Sequence, residues 1–307
     1  MSIRIMLLVV GLIWGTAVQG IQAQNQKNSS WAVPQDAEAF VYKSVSGVDL
    51  RAVVFRPPSK AGVGPRPAIV CFFGGGWRTG TPVQFYQQCR YLASRGMLAV
   101  SAEYRVSSRH QARVIDCVSD ANAAMRWLRS HAAMFNVDPR RIAAAGGSAG
   151  GHLAAAVAAL PDLKPGGRPD ALVLFNPALD LRPIAFGVSG TDPKSRERQR
   201  RYGAPAEDLS PHLHIHQRMP PTLILHGRAD TLIPYSQPLA FQKKMREFQR
   251  RCDLAGYAGA SHGFFNYGRQ QNRYFAETMQ RVDRFLVSLG YLDGSASVQK
   301  FLTSQPR

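Results

Sequence analysis

Three side chains that together could activate a hydroxyl group occur in a set order along this chain of 307 residues: Ser148, Asp230 and His262. A serine hydroxyl is a poor nucleophile at neutral pH, and it needs a base within hydrogen-bond reach to take its proton. That base in turn needs an acid that fixes its tautomer and stabilises its charged form. The set therefore predicts acyl transfer through a covalent intermediate, with Ser148 as nucleophile, His262 as base and Asp230 as acid.

The residues around Ser148 form a glycine-rich turn between two apolar stretches. Gly146-Gly-Ser-Ala-Gly150 follows the apolar residues 142–145 and precedes an alanine-rich helical pattern at 149–159. The G-x-S-x-G pattern between a strand and a helix is typical of a nucleophile elbow, which exposes the serine hydroxyl at the start of the helix. A chain of this length contains the five-residue pattern by chance roughly one time in ten. An ordinary Gly/Ser-rich turn is therefore the alternative.

A second glycine-rich stretch, Gly74-Gly-Gly-Trp77, directly follows the apolar run 68–73. The transition state of acyl transfer carries an oxyanion that needs preorganised N–H donors, and only glycine lets the backbone approach so closely. The predicted donors of this oxyanion hole are the amides of Gly75, Gly76 and Ala149. Trp77 either lines the substrate pocket or packs structurally, and the sequence leaves both possibilities open.

The elements that would carry these residues alternate between strand and helix patterns. A hairpin of two strands comes first, and strands that are buried on both faces follow at regular intervals. The predicted strands lie near residues 39–44, 49–56, 68–73, 97–102, 142–145, 171–175, 222–225 and 253–257. This order predicts the α/β class, with a mostly parallel sheet and helices on both faces. In such sheets the chemistry lies beyond the carboxyl ends of the strands, where all the candidate residues fall.

The charge balance is strongly basic, with 38 Lys and Arg residues against 20 Asp and Glu residues and a net charge of +18. The basic residues are scattered and no nucleic-acid motif accompanies them, so we predict a solvated basic surface and no nucleic-acid partner. One segment, 194–201, carries five basic residues against one glutamate. It is either an exposed helix or loop, or a rim that attracts an acidic substrate.

The N-terminus has the pattern of an export signal. Arg4 precedes a short apolar run at 5–14, and small residues that suit cleavage follow at Gly20 and Ala23. We therefore predict a signal peptide at 1–23 and a secreted or periplasmic protein with no stable membrane span, with an uncleaved anchor helix as the alternative. The remaining predicted parts are a flexible segment at 24–37, a single domain at 38–292 with a cap or lid insertion at 178–220, and a tail at 293–307.

The chain has four cysteines: Cys71, Cys89, Cys117 and Cys252. Export would allow disulfides. Cys71 lies in an apolar strand run and looks like a core residue, which makes Cys89 and Cys117 the favoured pair. No Cys or His spacing fits a metal site, and we predict neither a metal nor another cofactor.

Four motifs together resemble the α/β-hydrolase esterases of the hormone-sensitive-lipase-like (fold-3) group: FFGGGW, DPRRIAAAGGSAGGHLAA, HGRADTLIP and GASHGFF. The closest resemblance is to exported bacterial carbohydrate esterases of the feruloyl and acetyl-xylan esterase kind, and it covers roughly residues 38–292. It implies the α/β-hydrolase fold and the same catalytic and oxyanion-hole residues. One departure is Phe73, where the group usually has histidine, and this puts the loop geometry and substrate preference in doubt.

The residues and the resemblance together predict a serine carboxylesterase that works through an acyl-enzyme. Its substrate would be a small-molecule or polysaccharide ester, with acetyl or feruloyl groups on polysaccharides as the favoured case. A peptidase of the prolyl-oligopeptidase-like branch shares the order of the three residues and is one alternative. A catalytically idle relative that binds carbohydrate or serves as a scaffold is the other. No residue of the three is missing, which favours an enzyme.

Overall fold

The computed structural model describes residues 31–58, 64–161 and 163–304, except for the side chain of Lys194. The predicted signal peptide lies outside these residues, as does the first half of the predicted flexible segment, 24–30. The chain divides into two units, Met1–Gln35 and Asp36–Arg307. Residues 31–35 of the first unit contain no helix or strand, and every element described below belongs to the second unit.

One eight-stranded sheet forms the centre of the second unit. Its strands are β1 (Glu38–Val45), β2 (Val48–Phe55), β3 (Arg66–Phe72), β4 (Leu98–Ala102), β5 (Val137–Gly147), β6 (Ala171–Phe175), β7 (Thr222–Gly227) and β8 (Cys252–Tyr257). Their spatial order is β1-β2-β4-β3-β5-β6-β7-β8. Strand β2 pairs antiparallel with β1 and with β4, whereas every pair from β4–β3 to β7–β8 is parallel. The prediction of a mostly parallel α/β sheet is confirmed.

Helices follow most of the strands. The α-helices of the described residues are α1 (Tyr86–Ser94), α2 (Ser107–His110), α3 (Val114–Ser130), α4 (Ala149–Ala159), α5 (Pro193–Tyr202), α6 (Ser236–Glu247), α7 (Arg273–Ser288) and α8 (Val298–Ser304). All residues of β4 and β6 are buried, so both faces of the central sheet are covered. No helix in the described part of the chain is long and apolar enough to cross a membrane.

Two helices lie in the parts of the chain that are predicted as a cap or lid insertion and a tail, and the first of them agrees with one of the alternatives left open for 194–201. Helix α5 falls in the predicted cap segment, between short 3-10 turns at Pro183–Phe186 and Pro211–His214. Its sequence has charged residues on most sides and so lacks the apolar stripe that signals a packed helix. Helix α8 lies in the predicted tail and is only 7 residues long, but Val298 and Phe301 are buried there.

The predicted disulfide between Cys89 and Cys117 is wrong. All four cysteines of the chain are free and buried. The thiol of Cys89 lies beside that of Cys71 on strand β3, whereas the Cys117 thiol donates to the carbonyl oxygens of Arg105 and Arg113. Sequence spacing placed Cys89 and Cys117 on helix or loop stretches, but it could not show that both thiols point inward to different neighbours.

Candidate active site

Strand β5 ends in a sharp turn that presents Ser148 at the start of helix α4. Ser148 has φ 54° and ψ −117°, a conformation that residues with a Cβ rarely adopt. Its amide donates to the carbonyl of Phe175 at 2.9 Å, and its carbonyl accepts from the amide of His152 at 2.9 Å. The surrounding strand and helix thus hold the serine in a strained backbone, which is typical of a functional position.

The glycines of this turn are required by close backbone contacts. A Cβ on Gly150 would lie 2.0 Å from the carbonyl oxygen of Phe72, and one on Gly146 would lie 2.3 Å from the carbonyl oxygen of Gly150. A Cβ on Gly147 would lie 2.4 Å from the ring of Phe265. The G-x-S-x-G pattern is therefore a steric requirement of this turn.

Gly150→Ala should destabilise the fold by about 3 kcal/mol or more, because its new methyl group meets rigid backbone and cannot be accommodated by a rotamer change. Denaturant unfolding would measure the difference. Gly64→Ala is the matched control, since a Cβ at Gly64 has no atom within 4 Å and the backbone there does not have a positive φ. Equal stability of the two variants would contradict the close packing described here.

The structure brings the three sequence-predicted residues into one hydrogen-bonded series. His262 Nε2 lies 2.9 Å from Ser148 Oγ, and His262 Nδ1 lies 2.7 Å from Asp230 Oδ2. Asp230 comes from the turn after β7 and His262 from the loop after β8. The other carboxylate oxygen of Asp230, Oδ1, accepts the amides of Leu232 and Ile233 at 2.9 Å each. These bonds fix which carboxylate oxygen faces the histidine.

The electrostatic environment keeps Asp230 ionised. Burial alone would raise the pKa of this carboxyl group, but the hydrogen bonds from His262 and from the amides of Ile233 and Leu232 outweigh it and hold the pKa below its ordinary value. A carboxylate at this place favours a proton on His262 Nδ1. The opposite nitrogen, Nε2, is then free to accept the proton of Ser148, which is the arrangement that nucleophilic catalysis needs.

The three predicted oxyanion-hole amides surround the same cavity as Ser148. Gly75, Gly76 and Ala149 all line it. In the part of the chain that the structure describes, the amides of these three residues have no hydrogen-bond partner. Gly75 has φ +123° and Gly76 has φ +62°, and a Cβ on Gly75 would lie 2.3 Å from the carbonyl oxygen of Thr79. These backbone conformations explain why the loop consists of glycine.

Phe73, the departure from the resembling group, is buried beneath this loop. Its ring stacks on Tyr104 with 4.1 Å between centroids, and the Tyr104 hydroxyl donates to the Phe73 carbonyl at 2.7 Å. A Cβ on Gly80 would lie 2.6 Å from the Phe73 ring, so the far end of the loop packs on it. An aromatic stack therefore supports the loop here.

Trp77 contacts both the cavity at Ser148 and the interior of the fold. It lines the cavity, and its indole Nε1 donates to His152 Nδ1 at 3.3 Å. The other ring nitrogen of His152, Nε2, donates to the carbonyl of Leu209 at 2.7 Å. His152 is thus buried and connects helix α4, the glycine loop and the segment between β6 and β7. Its side chain does not hydrogen-bond to Ser148.

The state of His152 should make the fold sensitive to acid. Burial lowers its pKa to about 4, although the hydrogen bond to Leu209 opposes this, whereas the ordinary value is 6.5. The unfolded chain therefore binds a proton at this group between pH 6.5 and 4 that the folded chain does not, and stability falls as the pH drops through this window. Its contribution should fall by roughly 2 to 3 kcal/mol between pH 7 and pH 4.5.

Urea unfolding at these two pH values, with the wild-type protein and His152→Gln, would test this expectation. Glutamine keeps a donor for the carbonyl of Leu209 but does not titrate. The decrease in the free energy of unfolding between the two pH values should therefore be smaller in this variant by roughly 2 to 3 kcal/mol. Exposed His131 provides the matched control, since His131→Gln should leave the loss at its wild-type size. Identical losses in all three proteins would refute the assignment to His152.

Two residues that the sequence reading missed support the site. Asn176, directly after β6, accepts the Gly263 amide through Oδ1 at 3.1 Å and so holds the loop that carries His262. Gln84 accepts the amide of Gly74 and holds the start of the glycine loop. The position of Asn176 at a strand end was a usable signal, but nothing in the sequence singled out Gln84.

The cavity has a volume of about 640 Å³. The segment between β6 and β7 forms part of its wall through Phe186, Arg198, Arg201 and Tyr202. The glycine loop, the turn after β7 and the loop after β8 form other parts of the wall. Among the described residues no group of three or more His, Cys, Asp or Glu side chains could hold a metal ion.

Sequence comparisons point to one group of proteins. Residues 69–266 match the profile of the family described as alpha/beta hydrolase fold. A probable carboxylic ester hydrolase of Mycobacterium tuberculosis, LipM, is 29% identical over 242 residues, which are 68% of this chain and 54% of that protein. An acetylxylan esterase of Xylanibacter ruminicola is 26% identical over 242 residues, 75% of this chain and 47% of that protein. The chain thus spans about half the length of these curated relatives.

Solved structures of a thermophilic esterase from Thermogutta terrifontis are similar over most of the chain. The propionate-bound form is 42% identical, with a TM-score of 0.78, and the match covers 85% of this chain and 97% of that one. The form phosphonylated by sarin is also 42% identical, with a TM-score of 0.80 and coverage of 86% and 99%. The similarity therefore includes nearly the full length of that esterase.

Proposed function

The chain belongs to the alpha/beta hydrolase fold family, in its hormone-sensitive-lipase-like group, and we propose that it is a serine carboxylesterase. The observation that carries the proposal is the series from Asp230 through His262 to Ser148, with contacts of 2.7 and 2.9 Å. The esterases to which the chain is similar support the same reaction class.

The first half-reaction transfers the acyl group to the protein. Ser148 Oγ attacks the carbonyl carbon of the ester while its proton passes to His262 Nε2. The carbonyl oxygen becomes an oxyanion, and each N–H donor in the glycine loop or at Ala149 contributes about 3 to 4 kcal/mol to its stabilisation. The C–O bond to the alcohol then breaks, and His262 returns the proton to the departing oxygen.

The second half-reaction releases the acid. Water attacks the acyl group on Ser148 while His262 takes a proton from it, and the new tetrahedral intermediate forms in the same oxyanion site. Its collapse breaks the acyl–oxygen bond to Ser148, and His262 gives the proton back to the serine. Throughout, Asp230 keeps His262 oriented and stabilises its positive charge.

The acyl group that we propose is short, from acetyl to butyryl. The related esterase has been captured with propionate and with butyrate, and the cavity in this chain has Trp77 and Tyr202 in its wall. The similarity to an acetylxylan esterase supports acetyl groups on polysaccharides as a finer proposal. Feruloyl esters are the aromatic alternative, and comparing acetylated and feruloylated xylan as substrates would decide between the two.

Export would bring the protein to such polymers. We propose that residues 1–23 act as a signal peptide, on the basis of Arg4, the apolar run 5–14 and the small residues that follow. Mass spectrometry of protein recovered outside the cytoplasm should then show an N-terminus after Gly20 or Ala23. Recovery of the full-length chain from the membrane fraction would instead support an uncleaved anchor.

A fluorophosphonate probe gives the direct test of the acyl-enzyme. The related esterase is phosphonylated by sarin, and the probe should likewise modify Ser148, with the adduct located by peptide mass spectrometry. His262→Ala should label far more slowly, since Ser148 then lacks its base. Labelling elsewhere, or cleavage of prolyl peptide substrates without ester hydrolysis, would overturn the esterase proposal. The latter result would favour the peptidase alternative.

A further inference from the structure

We propose that the cavity at Ser148 selects esters that carry a negatively charged group, a carboxylate above all, and this rests on the proposed carboxylesterase function. Four arginines line the cavity: Arg78, Arg198, Arg201 and Arg269. Among the described residues that line it, none is an aspartate or a glutamate. A substrate that enters therefore meets positive charge on several sides. None of these side chains carries a negative charge that would repel a carboxylate.

These arginines also lack the carboxylate partners that several other arginines of the fold have. Arg90 pairs with Asp36 and Arg105 with Asp120, whereas none of the four forms an ion pair with any residue that the structure describes. The chain has 38 basic and only 20 acidic residues, so some unpaired arginines are expected on any surface. An arginine points to a binding site only where its guanidinium is not freely hydrated.

Arg198 is the residue that distinguishes this cavity from a merely basic surface. Its side chain is half-buried, and its guanidinium lies over the ring of Phe186 at 4.6 Å from the centroid. Its Nη1 is shielded from solvent but has no hydrogen-bond partner in the described part of the chain. Folded proteins leave few such donors unmet, and an unmet charged donor is more costly than a neutral one. Because Arg198 also lines the cavity, a carboxylate that enters there would supply the acceptor that this guanidinium lacks.

Arg201 connects this positive region to the reacting centre. Its Nη2 donates to the carbonyl of Gly76 at 2.9 Å, which fixes the guanidinium beside the glycine loop. Arg198 and Arg201 are three residues apart on α5, so their side chains lie on the same side of the helix. Guanidinium groups present planar pairs of N–H donors that match a carboxylate. The anion would thus bind in the cavity that Ser148 also lines.

Matched pairs of esters would test the preference. The mono-4-nitrophenyl ester of adipic acid compared with 4-nitrophenyl hexanoate places the charge on the acyl side, and 4-acetoxybenzoate compared with phenyl acetate places it on the alcohol side. After correction for uncatalysed hydrolysis, kcat/KM should be at least about tenfold higher for the charged ester in one of the pairs. This advantage should decrease as sodium chloride is added.

Variants separate direct contact from long-range attraction. Arg198→Gln should reduce the charged-to-neutral ratio of kcat/KM by about tenfold, and Arg198→Lys should restore part of it. Arg200→Gln removes the same charge from an exposed position of α5 outside the cavity, and its ratio should stay at the wild-type value. Melting temperatures of all three variants would show that they are folded.

The outcomes distinguish this inference from the proposed function. Equal kcat/KM within both pairs, or an equal loss of preference in Arg198→Gln and Arg200→Gln, would overturn the charge-selective site while leaving the esterase proposal standing. Failure of the wild-type protein to hydrolyse any of the four esters would overturn both.

Discussion

Ser148→Ala should lower kcat for 4-nitrophenyl acetate by a factor of about 10⁵ to 10⁶, with a much smaller change in KM. The variant loses the only side-chain oxygen that His262 Nε2 contacts in the described residues, at 2.9 Å, so no acyl-enzyme can form. The glycine loop and Ala149 still stabilise an oxyanion, and residual hydrolysis by water in the intact cavity sets the lower limit of the rate. Steady-state kinetics and the loss of fluorophosphonate labelling would measure the effect.

Ser148→Gly is an informative companion to this variant. Ser148 has φ 54° and ψ −117°, which costs a residue with a Cβ roughly 1 to 3 kcal/mol. Glycine relieves that strain. It also lowers the free energy of unfolding by roughly 0.4 to 1 kcal/mol, because the unfolded chain gains conformational freedom. Ser148→Gly should therefore be about 1 kcal/mol more stable than Ser148→Ala while being equally inactive. Appreciable activity in either variant would show that another nucleophile acts, and lower stability of the glycine variant would contradict the strain.

Features that depend on residues close together in the sequence could be predicted, whereas contacts between residues far apart in the sequence could not. The turn at Ser148 could be predicted because its five-residue glycine pattern lies directly between a strand pattern and a helix pattern in the sequence. The strands could be predicted because burial on both faces leaves continuous apolar runs. Neither depends on knowing the rest of the fold.

Features that depend on residues far apart in the chain could not be predicted from the sequence. The Cys89 thiol lies beside Cys71 and not Cys117, which only the packing of α1 on the sheet determines. Helix α5 has no apolar stripe, but it brings Arg198 and Arg201 to the cavity wall. The support that Tyr104 gives to Phe73 likewise joins residues 31 positions apart. Phe73 stands where the resembling group usually has histidine, and here Tyr104 from the end of another strand supports it.

Asp230→Asn should lower kcat by about 10⁴ at neutral pH with the fold intact. The two oxygens of Asp230 have different partners: Oδ1 accepts the amides of Leu232 and Ile233, and Oδ2 faces His262 Nδ1. In the asparagine variant the amide oxygen must stay at the Oδ1 position, because an NH₂ group there would oppose two backbone donors. The NH₂ group therefore faces His262 and donates to Nδ1.

This forced orientation places the histidine proton on the wrong nitrogen. With Nδ1 accepting, the proton of neutral His262 moves to Nε2, which then cannot accept the proton of Ser148. Nitrogen-15 NMR of the imidazole should show the change of tautomer, and kcat should fall while KM changes little, because no group that binds the ester has been removed. The negative charge that would stabilise the imidazolium during the reaction is lost as well.

Asp253→Asn is the matched control for Asp230→Asn. Asp253 lies in β8 and pairs with Arg251 at 2.7 Å, and both side chains are largely exposed. The exchange removes the same charge from a neighbouring strand, so kcat should stay within about twofold of the wild-type value, as for a surface ion pair. A loss in Asp230→Asn of less than tenfold would mean that hydrogen bonding to Nδ1 does not set the tautomer. The proximity of Asp230 to His262 would then serve the packing of the loop rather than the reaction.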